Sequence, residues 1–192
     1  MAFARGCTPL LGRILVVLML TLLAFYPVMG GTAQARDLTA DERTQLTKAL
    51  ETFKSAMREK RFEQVLDMLP PRIYAQIGKQ TGTDPAMMRK TVAQQMTKSL
   101  KDVSVRSFSA DLAKAEYRQL ANGTPYALIP ADMVMEAASK PREAKSTILA
   151  MIEGGTWHLL DSSNVQQVSI FSQVYPEFAG VQLGNKTTKA VP

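Results

Sequence analysis

The sequence predicts an α+β domain in which N-terminal helices pack on a curved antiparallel sheet of four to five strands and a C-terminal helix follows. Three observations carry this. Apolar residues recur every three or four positions up to Asp102 and every second position beyond it, so the period changes from helical to extended. β-Branched and aromatic residues become more frequent at the same point. The stretch Lys145 to Leu160, KSTILAMIEGGTWHLL, reads as two strands joined at Glu153-Gly154-Gly155-Thr156, because a Gly-Gly pair supplies the positive φ angles of a two-residue turn. In that register Ile152 faces Trp157 and Ala150 faces Leu159, with Ile148 on the same side. The other side carries Leu149, Met151, Glu153, Thr156, His158 and Leu160. Helices grouped ahead of a meandering sheet define the class.

The chain has 192 residues, and residues 1–35 have the pattern of an export signal. Arg5 and Arg13 precede the apolar run Ile14 to Phe25, Pro27 and Gly30-Gly31 break it, and Ala33-Gln34-Ala35 offers small residues for cleavage before Arg36. The expected destination is a bacterial periplasm or the exterior. An uncleaved helix anchored in the inner membrane is the alternative. Cys7, the single cysteine, lies ahead of the apolar run. The chain from Arg36 onward therefore has no disulfide, thiol nucleophile or cysteine metal site, and its core alone must hold it.

Of the 23 Lys and Arg residues, Arg5 and Arg13 lie in the leader, so 21 basic side chains face 17 acidic ones in the remainder, a net charge of +4. The basic pairs Lys60-Arg61 and Arg89-Lys90 are isolated and alternate with acids, which is the pattern of a solvated face. A nucleic-acid surface would need a dense stripe with interleaved aromatics. Contact with membrane is expected through the signal peptide or as weak surface attraction only.

Thr39-Ala40-Asp41-Glu42 is a capping box, and Leu46, Ala49, Leu50, Phe53, Ala56 and Met57 form one apolar stripe on the helix it opens. A shorter helix carries Phe62, Val65, Leu66 and Leu69 to the stop at Pro70-Pro71. A third runs from Pro71 to Ile77, with Gly78 as its end. Thr83-Asp84-Pro85 starts a fourth, with Met88, Val92, Met96 and Leu100 on one face. Strands follow at Val103 to Ser109, on both sides of the Asn122-Gly123 turn, and at Met133 to Ala137. Pro125 and Pro130 require an edge or a bulge in that ribbon. Ser139 to Glu143 is expected as a polar loop and Asp161 to Asn164 as a loop with helix caps. Val165, Val168, Phe171, Val174 and Tyr175 build the last helix, ending before Pro176, with a strand at Val168 to Val174 as the alternative. Residues 36–179 make one domain and 180–192 a flexible tail.

This order, with the long first helix, the Asn-Gly hairpin, the Tyr126 to Pro130 segment YALIP and the late Gly155-x-Trp157 strand, resembles the nuclear transport factor 2-like group of α+β cone domains. The resemblance covers Leu38 to about Phe178. It implies a pocket between the curved sheet and the helices, in a group holding isomerases, dehydratases, small hydrolases and binding domains without catalysis. No catalytic motif of an enzyme member is matched residue by residue.

The chemistry on offer is sparse. His158 is the only histidine, so a multi-histidine metal site is excluded and no metal ligands or cofactor are assigned. Proton-transfer chemistry of the isomerase kind needs a carboxylate and a hydroxyl donor in an apolar cavity. Asp102, Glu116, Asp132 and Glu136 are the sheet-side acids, Tyr74, Tyr117 and Tyr126 the donors, and Asp102, Tyr126 and His158 the catalytic candidates. A turn acid, cross-strand tyrosines and an exposed strand histidine are the structural alternatives. Met88, Met96, Met151 and Trp157 are ligand-binding candidates, with core filling as the other reading. The sequence thus favours an exported non-catalytic domain that binds a small apolar molecule or a partner protein. A small isomerase, dehydratase or hydrolase with a carboxylate-tyrosine pocket is the second reading. A dimeric scaffold, joined through the Leu149, Met151 and Leu160 face, is the third.

Overall fold

The computed structural model describes residues 34–138, 140–183 and 187–190. Most of the expected leader therefore lies outside the described residues. Its last two residues, Gln34–Ala35, form a short strand β1. Among the described residues there are five α-helices, α1 (Ala40–Arg58), α2 (Phe62–Asp67), α3 (Pro71–Thr81), α4 (Pro85–Ser99) and α5 (Val165–Val174), and a 3-10 turn at Pro176–Phe178. The remaining strands are β2 (Val103–Ala110), β3 (Glu116–Gln119), β4 (Pro125–Ala137), β5 (Lys140–Glu153), β6 (Thr156–Asp161) and β7 (Thr187–Ala190). The α+β class and the order of helices, sheet and C-terminal helix are as the sequence predicts, with β1 added ahead of them and β7 after them.

α1 begins with the predicted box: Glu42 N–H donates to Thr39 Oγ1 at 3.2 Å, and Thr39 N–H donates to Glu42 Oε2 at 2.8 Å. α3 runs past its expected end. Gly78 lies inside it, and Gly82, at φ +65°, closes it in the left-handed conformation that glycine adopts without a side-chain clash. Gly78 has a different task, since a Cβ there would sit 2.7 Å from the Thr83 carbonyl oxygen, so it permits the close turn into α4. On α4 the expected stripe is only partly inward. Met88 and Ala93 are buried, while Val92 and Met87 are exposed. Four-residue spacing drifts around a 3.6-residue helix, which brings Ala93 inward in place of Val92.

The sheet is curled and antiparallel, built on the long β4–β5 hairpin, whose register runs from Tyr126↔Met151 to Ala137↔Lys140. β5 begins at Lys140, so Lys140 to Glu143 of the run expected as a loop are strand, while Ser139 lies outside the described residues; the charged residues sit where the ribbon is solvated. β2 and β3 share one edge of β4, β2 pairing with residues 131–137 and β3 with residues 125–128. Ile129 and Pro130 fall in the gap between them. The Pro130 carbonyl accepts from Asp111 N–H at 2.9 Å, so its nitrogen, which lacks a hydrogen, also faces that gap. A central strand accommodates proline here because no neighbouring strand asks for the missing donor.

The Asn122-Gly123 hairpin forms with a longer loop than a two-residue turn. Gly123 N–H donates to the Leu120 carbonyl at 2.8 Å and Leu120 N–H to the Thr124 carbonyl at 2.9 Å, which makes a turn followed by a left-handed glycine (φ +82°). At Gly154-Gly155 the register is the predicted one, with Ile152 opposite Trp157 and Ala150 opposite Leu159. β6 continues to Asp161, one pair further than expected, opposite Ile148. α5 is a helix and not a strand; Val165, assigned to its apolar stripe, is 81% exposed in its first turn. Thr187–Ala190 pairs with Arg142–Lys145 of β5, so part of the expected tail adds a strand to the sheet.

Both faces of the sheet are covered. Ala127, Ile129, Ile148, Ala150, Trp157 and Leu159 pack with Leu46 and Leu50 of α1. Tyr126, Leu149, Met151 and Leu160 pack with Phe171, Tyr175, Phe178 and, from α3, Ile73. The face assigned to a dimer is therefore buried within the chain: Leu149 and Leu160 are fully covered and Met151 nearly so. Polar residues near the turn hid this, because Glu153, Thr156 and His158 make that side look half solvated in sequence. A third cluster, Phe62, Leu66, Tyr74 and Ala93, joins α2, α3 and α4.

Candidate functional site

Between α1, α2 and α4 on one side and the α1-facing side of the sheet on the other lies a cavity of about 190 Å³. Its walls follow from the periodicities. The α1 stripe supplies Phe53 and Met57, α2 and its exit supply Val65, Leu66 and Leu69, and α4 supplies Met96. Alternation along the strands brings Phe108 from β2, Ala131 and Met133 from β4, Ile148 from β5 and Leu159 from β6. Ala131 is the small residue that leaves the room. The Phe53 and Phe108 rings meet at a centroid distance of 5.3 Å, tilted by 59°, and form one wall.

One end of the cavity is polar. Ser146 of β5, Asp161 at the end of β6, the α5 cap Asn164 and Gln167 of its first turn line it. These four come together because the β6–α5 connection is tied back on β5: Ser162 N–H and Oγ–H both donate to the Thr147 carbonyl, at 3.0 and 2.6 Å. Asn164 Oδ1 caps α5 by accepting from Gln167 N–H at 3.1 Å. Asp161 Oδ1 accepts from Ser163 N–H at 2.9 Å and from Ser163 Oγ–H at 2.6 Å.

The residues singled out in the sequence are dispersed. Of the ligand-binding candidates, Met96 lines the cavity. Met88 is buried in α4, Met151 lies on the opposite face of the sheet, and Trp157 packs under α1 beside a separate surface depression that includes Met68. Asp102 stands at the α4–β2 turn with its side chain 84% exposed, 3.9 Å from Lys101 Nζ. Tyr126 and His158 lie on the face away from the cavity, two strands apart in one row with Met151 between them. Among the other acids and phenols, Glu116 pairs with Arg118, Asp132 with Lys145 and Glu136 with Arg106, while Tyr74 and Tyr117 donate to the backbone carbonyls of Leu66 and Leu112. The three catalytic candidates form no constellation.

Tyr126 is fully buried, its hydroxyl near the Arg118 guanidinium but in no well-formed hydrogen bond, and its ring edge-on to Phe178 at 5.3 Å. Burial pushes the phenol above its ordinary pKa. Removing the hydroxyl in Tyr126→Phe takes away a desolvated polar group and, at most, a weak contact with Arg118. Urea unfolding is expected to show the variant unchanged or about 1 kcal/mol more stable; a loss above about 1 kcal/mol would show that the hydroxyl has a partner.

The structure does contain a carboxylate-tyrosine pair that the sequence did not suggest. Tyr175 Oη–H donates to Glu153 Oε2 at 2.5 Å. Arg72 stacks over the Tyr175 ring at 4.4 Å and bonds Glu153 Oε1 and Glu177 Oε1, both at 2.9 Å. Burial first, then the Glu153 bond, holds the Tyr175 phenol well above its ordinary pKa. All four groups are engaged with one another across α3, the β5–β6 turn and the end of α5, away from the cavity, so the cluster acts as a clamp. Nothing in the sequence spacing could bring Arg72, Glu153 and Tyr175 together.

The cavity residues were partly legible. Phe53, Met57, Val65, Leu66 and Leu69 all belong to predicted apolar stripes. Asp161 was assigned to a loop, although it continues the alternation of Trp157 and Leu159. Among the described residues no three His, Cys, Asp or Glu side chains gather as metal ligands, and no helix is long and apolar enough to cross a membrane. No protein-family model matches the chain, and no curated protein or solved structure matches it.

Proposed function

We propose that this chain is an exported, non-catalytic binding domain that holds a small apolar molecule in the cavity between its helices and its sheet, with the architecture of the nuclear transport factor 2-like group. The observation that carries the reading is the cavity itself: about 190 Å³ walled by Phe, Met, Leu, Ile, Val and Ala side chains apart from the polar end at Ser146, Asp161, Asn164 and Gln167. An apolar cavity of about 150 Å³ stays dry and takes up benzene, so this one has room for a single ring or a short alkyl chain. Export is read from the basic, apolar and small-residue segments that precede Arg36. The dispersal of Asp102, Tyr126 and His158 favours binding over catalysis.

The test uses protein purified from the periplasm, with a mature mass beginning at Arg36, titrated with toluene by calorimetry and protein NMR. Toluene is expected to bind and to shift resonances of Phe53, Met96 and Phe108. Ala131→Leu places a branched side chain in the space and is expected to weaken binding at least about tenfold without loss of folding. Absence of toluene binding to the unaltered protein, or equal binding by a folded Ala131→Leu, would overturn the reading.

A further inference from the structure

We infer that the cavity selects small apolar amines, the ligand's ammonium group being held by Asp161 while its ring or chain lies against Phe53 and Phe108; this rests on the binding reading above. Among the described residues, Asp161 is the only ionisable one that lines the cavity. Glu42, Asp132 and Glu136 each face a basic side chain within 4 Å. Asp161 is in no ion pair among the described residues, so a half-buried carboxylate stands at the cavity end without a counter-charge.

The carboxylate is also oriented. Both donors from Ser163 go to Oδ1, which fixes the group, and Oδ2 takes no hydrogen bond from the described residues. An ammonium group brings three donors and no acceptor. Asp161 Oδ2, the Ser146 hydroxyl and the Gln167 amide oxygen are acceptors of the required kind on the same cavity end. Next to an apolar wall the charge-assisted bond is screened less than it would be on an open surface. An anionic ligand would meet a like charge there. The amide groups opening α5 do not reverse this, because the Asn164 cap already accepts from the Gln167 N–H at that end. A neutral hydrocarbon would leave the carboxylate to water.

The experiment titrates the mature protein with toluene, benzylamine, benzyl alcohol and benzoate at pH 7, a set that keeps the ring and varies the head group. Benzylamine is expected to bind at least about tenfold tighter than toluene and benzoate. In Asp161→Asn that preference, read as the ratio of benzylamine to toluene affinity within the same protein, should vanish. If Asp161→Asn does not fold, salt decides on the unaltered protein: raising the ionic strength should weaken benzylamine and leave toluene unchanged. Toluene binding with no advantage for benzylamine overturns the amine inference alone. Failure of toluene to bind overturns the binding reading, and this inference with it.

Discussion

Phe171→Ala is expected to lower the unfolding free energy by about 3–5 kcal/mol, measured by urea denaturation followed by circular dichroism. Phe171 is fully buried and anchors the cover over the second sheet face. Its ring stacks on Tyr175 at 4.7 Å and meets Phe178 edge-on at 5.1 Å, and Phe178 in turn meets Tyr126. Truncation would leave a void above Leu149, Met151 and Leu160 that the aromatic cluster cannot collapse into without breaking the Arg72 clamp. A loss below about 1 kcal/mol would mean that α5 does not cover this face.

Trp157→Ala is expected to cost a similar amount, about 3–5 kcal/mol, for a different reason. Trp157 is the single tryptophan and fills the joint between β6 and the start of α1. Its indole Nε1–H donates to the Glu42 carbonyl at 3.0 Å, inside the capped first turn. Trp157→Phe keeps much of the apolar area and loses that bond, so its cost should be nearer 1–2 kcal/mol, roughly. Equal costs for the two variants would show that the hydrogen bond, and not the ring volume, holds α1 to the sheet.

The fold was legible wherever a local rule has one outcome. The Thr39–Glu42 box fixed the start of α1, and Gly154-Gly155 fixed the β5–β6 register, hence which residues face α1. Sequence reasoning failed where two positions compete for one role. Gly78 and Gly82 can both end α3, and what decides is the approach of the Thr83 carbonyl, which only the packed structure contains. Lys140 to Glu143 reads as loop because charge dominates it, yet pairing with β4 carries the strand through a solvated end. The cavity was legible as apolar stripes and illegible as a cavity. Its existence depends on Ala131 lying opposite Phe53 and Met96, three residues from three distant segments. Met88, Met96, Met151 and Trp157 looked alike in composition, and it is the face each element presents that separates Met96 from the others.

The gap at Pro130 bears on how the chain assembles. β2 and β3 each lean on half of β4, and β6 and β7 each on half of β5, so these four strands find their places against the β4–β5 ribbon. That ribbon pairs residues that are near neighbours along the chain at its Ala137↔Lys140 end, where closing the loop costs least. It is thus the natural template on which later partners are recruited, and β1, whose partner β3 lies far downstream, is recruited at the greatest entropic distance. A sheet organised in this way grows outward from one spine, and its N-terminal edge is the last part to be sealed.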